Sequence, residues 1–317
     1  MHLLRTQSSD VSGVFCFEPG YRFRMCDMPI SRQRLFLLTV MAMLAFAANS
    51  VLCRMAFMRT AIDPTSFTAI RVVSGACVLW SLVMLRGGTS IRSMVGKGSW
   101  LSAVVLLAYA VGFSFAYVSL PAGTGALLLF GAVQVTMVGH GLHAGEHLGS
   151  RQWMGLVLAC TGLAILLLPG VSMPPFGSAL LMLGAGVAWG VYSLRGRGAA
   201  NPLDVTAGNF MRAAPLALLL AACLQRDIAL DPIGAGYAVA SGGLASGIGY
   251  AVWYSVLPSL KATTAATVQL SVPVLAALGG TLLLAEPLSL RLLLSAFAVL
   301  GGIALVVIHR FPAAAAR

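Results

Sequence analysis

The chain has 317 residues, 59% of them hydrophobic and 9% charged, and its mean hydropathy is +0.91. A soluble domain carries about 25% charged residues, so a water-soluble globular protein is excluded. The net charge of +11 does not point to nucleic acid, because the basic residues are scattered between apolar runs and do not gather on one face.

Residues 1–34 read as a disordered basic leader. They hold no apolar stretch long enough for a signal-peptide core, and Arg5, Arg22 and Arg24 follow no helical period. Met28 opens Met-Pro-Ile-Ser-Arg-Gln-Arg, a compact basic flank, and is a second candidate start. From there on the chain is dominated by apolar segments. Residues 98–145, 152–194, 232–260 and 262–285 contain no Asp, Glu, Lys or Arg. About 20 apolar residues in a helix cross a bilayer core, so the longer runs each hold two crossings. A barrel is excluded, since its strands would alternate apolar and polar residues.

The reading is an all-α membrane protein of ten transmembrane helices, predicted at 35–57, 65–85, 100–119, 122–142, 151–168, 176–194, 204–223, 234–257, 262–284 and 289–308. Pro121, the Pro169-Gly170 and Pro174-Pro175 pairs, Pro258 and Pro287 mark turns. With the N-terminus in the cytoplasm, 14 of the 20 basic residues fall in cytoplasmic segments and 4 on the other side. Without residues 1–27, which precede Met28, the ratio is 11 to 4. The positive-inside rule therefore predicts both termini in the cytoplasm of a cell with the protein in its inner (plasma) membrane. Segments 85–99 and 195–203 are then cytoplasmic, and 169–175 and 225–233 lie outside.

The second half of the chain repeats the first. Gly112, Tyr117, Leu120 and Pro121 recur at one offset as Gly249, Tyr254, Leu257 and Pro258. Glu146, Leu148, Arg151, Gly162 and Ala164 recur as Glu286, Leu288, Arg291, Gly302 and Ala304, and Arg54, Thr65 and Arg71 as Arg195, Thr206 and Arg212. Each copy, 35–168 and 176–308, holds five helices. An odd number of crossings makes the second copy enter the membrane from the opposite face, so the expectation is two inverted five-helix repeats. That is an architecture of secondary transporters.

The order of these residues resembles the EamA type of the drug/metabolite transporter superfamily over about residues 35–310. The second copy carries the pattern as Trp189-Gly190, Pro202, Arg212, Pro258, Ala262-Thr263-Thr264-Ala265-Ala266, Pro273, Glu286-Pro287-Leu288-Ser289 and Gly301-Gly302. The first copy departs from it: Ala48-Asn49 stands where a Trp-Gly-like pair is expected, and Val133 near an expected Pro. The resemblance implies efflux of amino acids or related compounds by alternating access. A multidrug exporter is a second reading. It is weakened because no Asp or Glu is predicted in mid-membrane, where a cation exporter usually needs a carboxylate. A fused ten-helix repeat can work as a monomer.

Aromatic and amide residues are the candidates for a substrate site in this bilayer protein. Asn49, Tyr117, Gln134, Tyr192, Trp253, Tyr254 and Gln269 are expected to border a central cavity, where aromatic faces and amide dipoles suit a zwitterionic or weakly polar small molecule. Tyr109, Trp189, Asn209 and Tyr250 belong to the same polar set. Arg71 and Arg212 lie about two turns inside their helices. An arginine at mid-helix costs about 2.5–3.5 kcal/mol on insertion scales. Their presence in both copies assigns them to gating or structure, with anion attraction as the alternative.

His143-Ala-Gly-Glu146-His147 matches the H-x-x-E-H string of some zinc peptidases, which keeps an intramembrane metalloprotease as a third and weaker reading. The repeat accounts for the glutamate differently, because Glu146 corresponds to Glu286, which has no histidine nearby. The six cysteines show no CxxC pair. Neither a metal nor another cofactor is expected, and neither is catalysis.

Overall fold

The computed structural model describes residues 31–86, 97–143, 145, 149–168, 174–196, 199, 201–224, 231–260 and 268–309. Among them the chain is helical without strands. The first five helices are α1 (Arg32–Arg59), α2 (Pro64–Leu85), α3 (Trp100–Tyr117), α4 (Ala122–His143) and α5 (Ser150–Leu167). The second five are α6 (Phe176–Gly196), α7 (Pro202–Leu224), α8, α9 (Ser271–Leu284) and α10 (Leu290–His309). The α8 run has three parts: Pro232–Val239, a π-helical stretch Ala240–Ile248, and Gly249–Val256. Helices α1 to α7 are each long and apolar enough to cross a membrane, and 271–284 and 290–306 are shorter apolar helices.

Local chemistry starts these helices where they start. Asp63 caps α2, accepting from Thr65 N at 2.9 Å and Ser66 N at 2.8 Å, with Pro64 in the first turn. Asp231 and Pro232 repeat the device at α8, where Asp231 accepts from Ile233 N at 2.8 Å and Gly234 N at 3.0 Å. A proline there lacks an N–H that would have no helical partner anyway, and the aspartate satisfies two that would. Asn201 precedes Pro202 in the same way and accepts from Asp204 N at 3.5 Å.

One element differs from the sequence reading. Helix 8 was expected as one regular span over 234–257, but its middle is π-helical. The reason lies in the small residues Ala240–Ile248, which let the backbone take the wider i→i+5 pitch without side-chain crowding. The start of helix 9, expected at 262, lies outside the described residues; residues 268 and 269 are helical, and after a turn at 270 the regular helix runs Ser271–Leu284. Starting at Ser271 puts Pro273 in the first turn, where its missing N–H leaves no gap in the ladder.

The principal packings are α1 with α8 and α9, α6 with α3 and α4, α2 with α7 and α8, α3 with α7, α4 with α9, and α5 with α10. The α5–α10 contact is backbone-close: a Cβ on Gly155 would collide with the Gly302 carbonyl, and one on Gly302 with the Gly155 carbonyl. Large apolar side chains cover the outside, with Leu282 81% and Phe297 78% exposed. Facing outward in that proportion, they fit a lipid environment and not water. Most of the connecting segments used to orient the chain lie outside the described residues.

Candidate functional site

Four helices bring polar groups together midway along the bundle. Arg71 of α2 is 3% exposed. Its Nη2 donates to the Tyr109 hydroxyl of α3 at 3.0 Å. Asn49 of α1 donates from Nδ2 to the same oxygen at 3.4 Å, and its carbonyl oxygen accepts from Ser241 Oγ of α8 at 2.6 Å. The approach is allowed by Gly242, whose Cβ, if present, would collide with the Arg71 carbonyl and with Ser74 Oγ. The π-helical stretch of α8 thus lies directly on the turn of α2 that carries Arg71.

An aromatic column runs through this point. Tyr117 meets Phe113 (ring centroids 4.7 Å apart), Phe113 meets Tyr109 (5.5 Å), and Tyr109 meets Trp189 of α6 (4.9 Å). Trp189 stacks on Tyr250 of α8 at 5.4 Å and 19°, and on Tyr192 at 5.4 Å and 24°. Tyr250 continues to Tyr254 at 6.5 Å. Tyr109, Phe113 and Tyr117 recur every fourth residue and so share one face of α3. The column ends on Tyr117 and Tyr254, the two tyrosines that the repeat makes equivalent. The Arg71 guanidinium lies 4.5 Å from the Phe113 ring centre and 5.3 Å from that of Tyr109, inside cation–π range.

Each end of the bundle carries its own polar cluster. At the end formed by the C-terminus of α3 and the N-terminus of α4, Arg54 pairs with Glu286 (Nε to Oε1, 3.0 Å). Arg54 also donates to the Tyr117 and Val118 carbonyls at 3.1 and 2.7 Å. The other Glu286 oxygen accepts from Ala122 N at 2.8 Å. One ion pair therefore ties off the last carbonyls of α3 and the first N–H of α4, groups that have no partner inside their own helices. Glu286 reaches back because Ala285 takes a left-handed conformation (φ 53°) at the end of α9. At the opposite end Lys97 pairs with Asp204, and Arg195 donates to Ser102 Oγ at 3.0 Å and Ser99 Oγ at 3.3 Å.

The expected site residues divide over these places. Asn49 sits in the central cluster. Tyr192 flanks it, accepting from Asn209 Nδ2 at 3.3 Å, and the half-buried Tyr254 lies 3.5 Å from Thr206 Oγ1. Tyr117 is fully buried in the α3–α4 corner and donates to the Ala122 carbonyl at 3.2 Å. Trp253 is buried edge-on against Phe46, at 6.0 Å. Gln134 is buried in α4, and Gln269 is half-buried just ahead of α9; neither side chain has a hydrogen-bond partner among the described residues. Protein groups serve both buried asparagines: Asn209 also accepts from Ser99 N at 2.8 Å. Arg212 is half-buried, 5.5 Å from the Trp100 ring at the start of α3, and so occupies different surroundings from Arg71.

Ser241 and the Arg54–Glu286 pairing were not in the sequence reading. Nothing in the α8 sequence marks Ser241, whereas Arg54 and Glu286 were both visible as repeated residues. Among the described residues no group of three His, Cys, Asp or Glu side chains is placed to hold a metal ion. His143 is exposed at the end of α4; Glu146 and His147 lie outside the described residues.

These helices and their apolar exterior define a multi-pass membrane protein. The family model of the EamA-like transporter family matches residues 177–308. An uncharacterized protein of Pseudomonas aeruginosa is 56% identical over 89% of this chain and 98% of its own. An uncharacterized transporter of Archaeoglobus fulgidus is 30% identical over 52% of this chain and 60% of its own length. A solved crystal structure shares the fold with a TM-score of 0.64 at 20% identity, covering 89% of this chain and 100% of that one. The second half of the chain thus carries an EamA-like transporter domain, which fits the drug/metabolite transporter superfamily.

Proposed function

We propose that this protein is a secondary transporter that exports a small metabolite, such as an amino acid or a derivative, across the inner (plasma) membrane by alternating access. Its working parts are the two halves 35–168 and 176–308, arranged as inverted repeats with both termini cytoplasmic. The observation that carries the reading is the packing pattern. Exchanging each helix of one half for its counterpart turns α3–α6 into α8–α1, α4–α6 into α9–α1, and α2–α8 into α7–α3, while α2–α7, α4–α9 and α5–α10 map onto themselves. All of these contacts are present, as a two-fold relation between halves requires. Such a relation gives two ends of similar construction around one centre, so that either end can close.

Flux is the test. Purified protein in proteoliposomes should exchange at least one labelled amino acid or derivative faster than protein-free vesicles do. Tyr254→Ala and Gln269→Ala should each slow that exchange without preventing membrane insertion. Exchange no faster than in empty vesicles across an amino-acid and metabolite panel contradicts the reading. For orientation, single cysteines at 171–173 should react with an impermeant reagent in intact cells; reaction only after the cells are opened refutes it.

A further inference from the structure

We infer that Arg71 is the group that recognises the substrate, and that the substrate carries a free carboxylate on an apolar or aromatic body. The inference rests on the transporter reading above and names the chemistry of its cargo.

A guanidinium offers five N–H donors and no acceptor. In Arg71 one Nη2 bond goes to Tyr109, while Nη1 is buried with no acceptor among the described residues. A buried charge without a counter-ion is costly, and in a bilayer more so, which makes intramembrane ionisable residues functional candidates. The two ion pairs among the described residues, Arg54–Glu286 and Lys97–Asp204, lie at opposite ends of the bundle, away from this point. Neither does Arg71 behave as a snorkelling side chain: among the described residues it donates to no helix-end carbonyl, and it stays in the middle, over the Phe113 and Tyr109 rings.

The neighbours add donors. Tyr109 Oη accepts from both Arg71 and Asn49, so its own proton is left for another acceptor. The Asn49 carbonyl is already taken by Ser241. A ligand meeting this corner finds the Nη1 hydrogens and a phenolic O–H side by side, a combination that suits the two oxygens of a carboxylate. The surroundings of this corner are aromatic, since Tyr109 also packs on Trp189, and Trp189 on Tyr250 and Tyr192, and an apolar or aromatic body suits that environment. Among the described residues Arg212 also has buried nitrogens without partners, but its ring companion there is Trp100 at a bundle end, outside the column.

Matched head groups test this directly. Thermal unfolding of the purified full chain is followed with phenylacetate, phenylacetamide and phenethylamine, then with isovalerate, isovaleramide and isopentylamine. The acids should raise the melting temperature of the wild type in a saturable way, and the amides and amines should not. Arg71→Gln should abolish the response, and Arg71→Lys and Tyr109→Phe should weaken apparent affinity at least tenfold. Equal stabilisation by amide or amine overturns the inference, as does no response to any acid, an undiminished response in Arg71→Gln, or equal stabilisation by chloride or inorganic phosphate. The wild-type comparison decides even if a variant fails to fold. Acids that bind but are not carried in proteoliposomes support the carboxylate site and count against the transporter reading. Flux of the amines with no dependence on Arg71 does the reverse.

Discussion

Glu286 serves three partners with one carboxylate: the Arg54 guanidinium, the first N–H of α4 and, through Arg54, the last carbonyls of α3. Removing it strands a partly buried cation and a buried N–H together. Hydrogen bonds to charged groups contribute about 1.5–3 kcal/mol each, so Glu286→Ala should destabilise by at least about 2 kcal/mol. Thermal unfolding in detergent measures this; an unchanged melting temperature would show that the pair is ornamental. At this scale the sequence showed the cast but not the pairings. Arg54 and Glu286 each stood out as repeated residues, yet they are 232 positions apart and nothing in one sequence joins them. Tyr117 was expected at the centre, but its place two turns beyond Tyr109 on the same face carries it into the α3–α4 corner. Depth along a helix, more than face, decided which aromatic residues meet Arg71.

Among the elements, α8 combines a π-helical stretch with glycines at its contact with α2. Gly242→Ala should force the two helices apart at the Arg71 turn, at a cost of about 1–3 kcal/mol or more for overpacking. Gly236, also in α8, has nothing within 4 Å of a built Cβ. Gly236→Ala should therefore be neutral or stabilise by about 0.5–1 kcal/mol, which makes it the control in the same unfolding assay. Equal melting temperatures for the two variants would contradict the packing. The α2 cap gives a pH test. Partial burial pushes the Asp63 carboxyl up, but the hydrogen bonds from Ser66 and Thr65 outweigh it and hold the group below the usual carboxylate range. A lowered folded value means stability that is complete above the ordinary carboxylate pKa of about 3.9 and lost as pH falls through the folded value. Asp63→Ala should thus cost about 1 kcal/mol at neutral pH, and the gap to wild type should close in acid. A gap independent of pH would show that the carboxylate charge plays no part. The helices themselves were legible because apolar length and prolines mark them. The π-helical stretch was not, since small residues alternate too weakly to reveal their pitch.

The whole molecule is a helical bundle around an aromatic column, with a polar cluster at either end. Its helical, membrane-spanning character was readable from the apolar segments of the sequence. Which end is closed was not readable, because closure depends on pairs such as Arg54–Glu286 that form only in space. Alternating access requires the two ends to move in opposition. The direct test is a pair of spin-label distances on the full protein in lipid: Val118 with Leu283 across the Arg54–Glu286 end, and Leu101 with Gly196 across the Lys97–Asp204 end. The account predicts two populations whose distances are anticorrelated, with Glu286→Gln lengthening the first and shortening the second. Two fixed distances, or two that lengthen together, would contradict it.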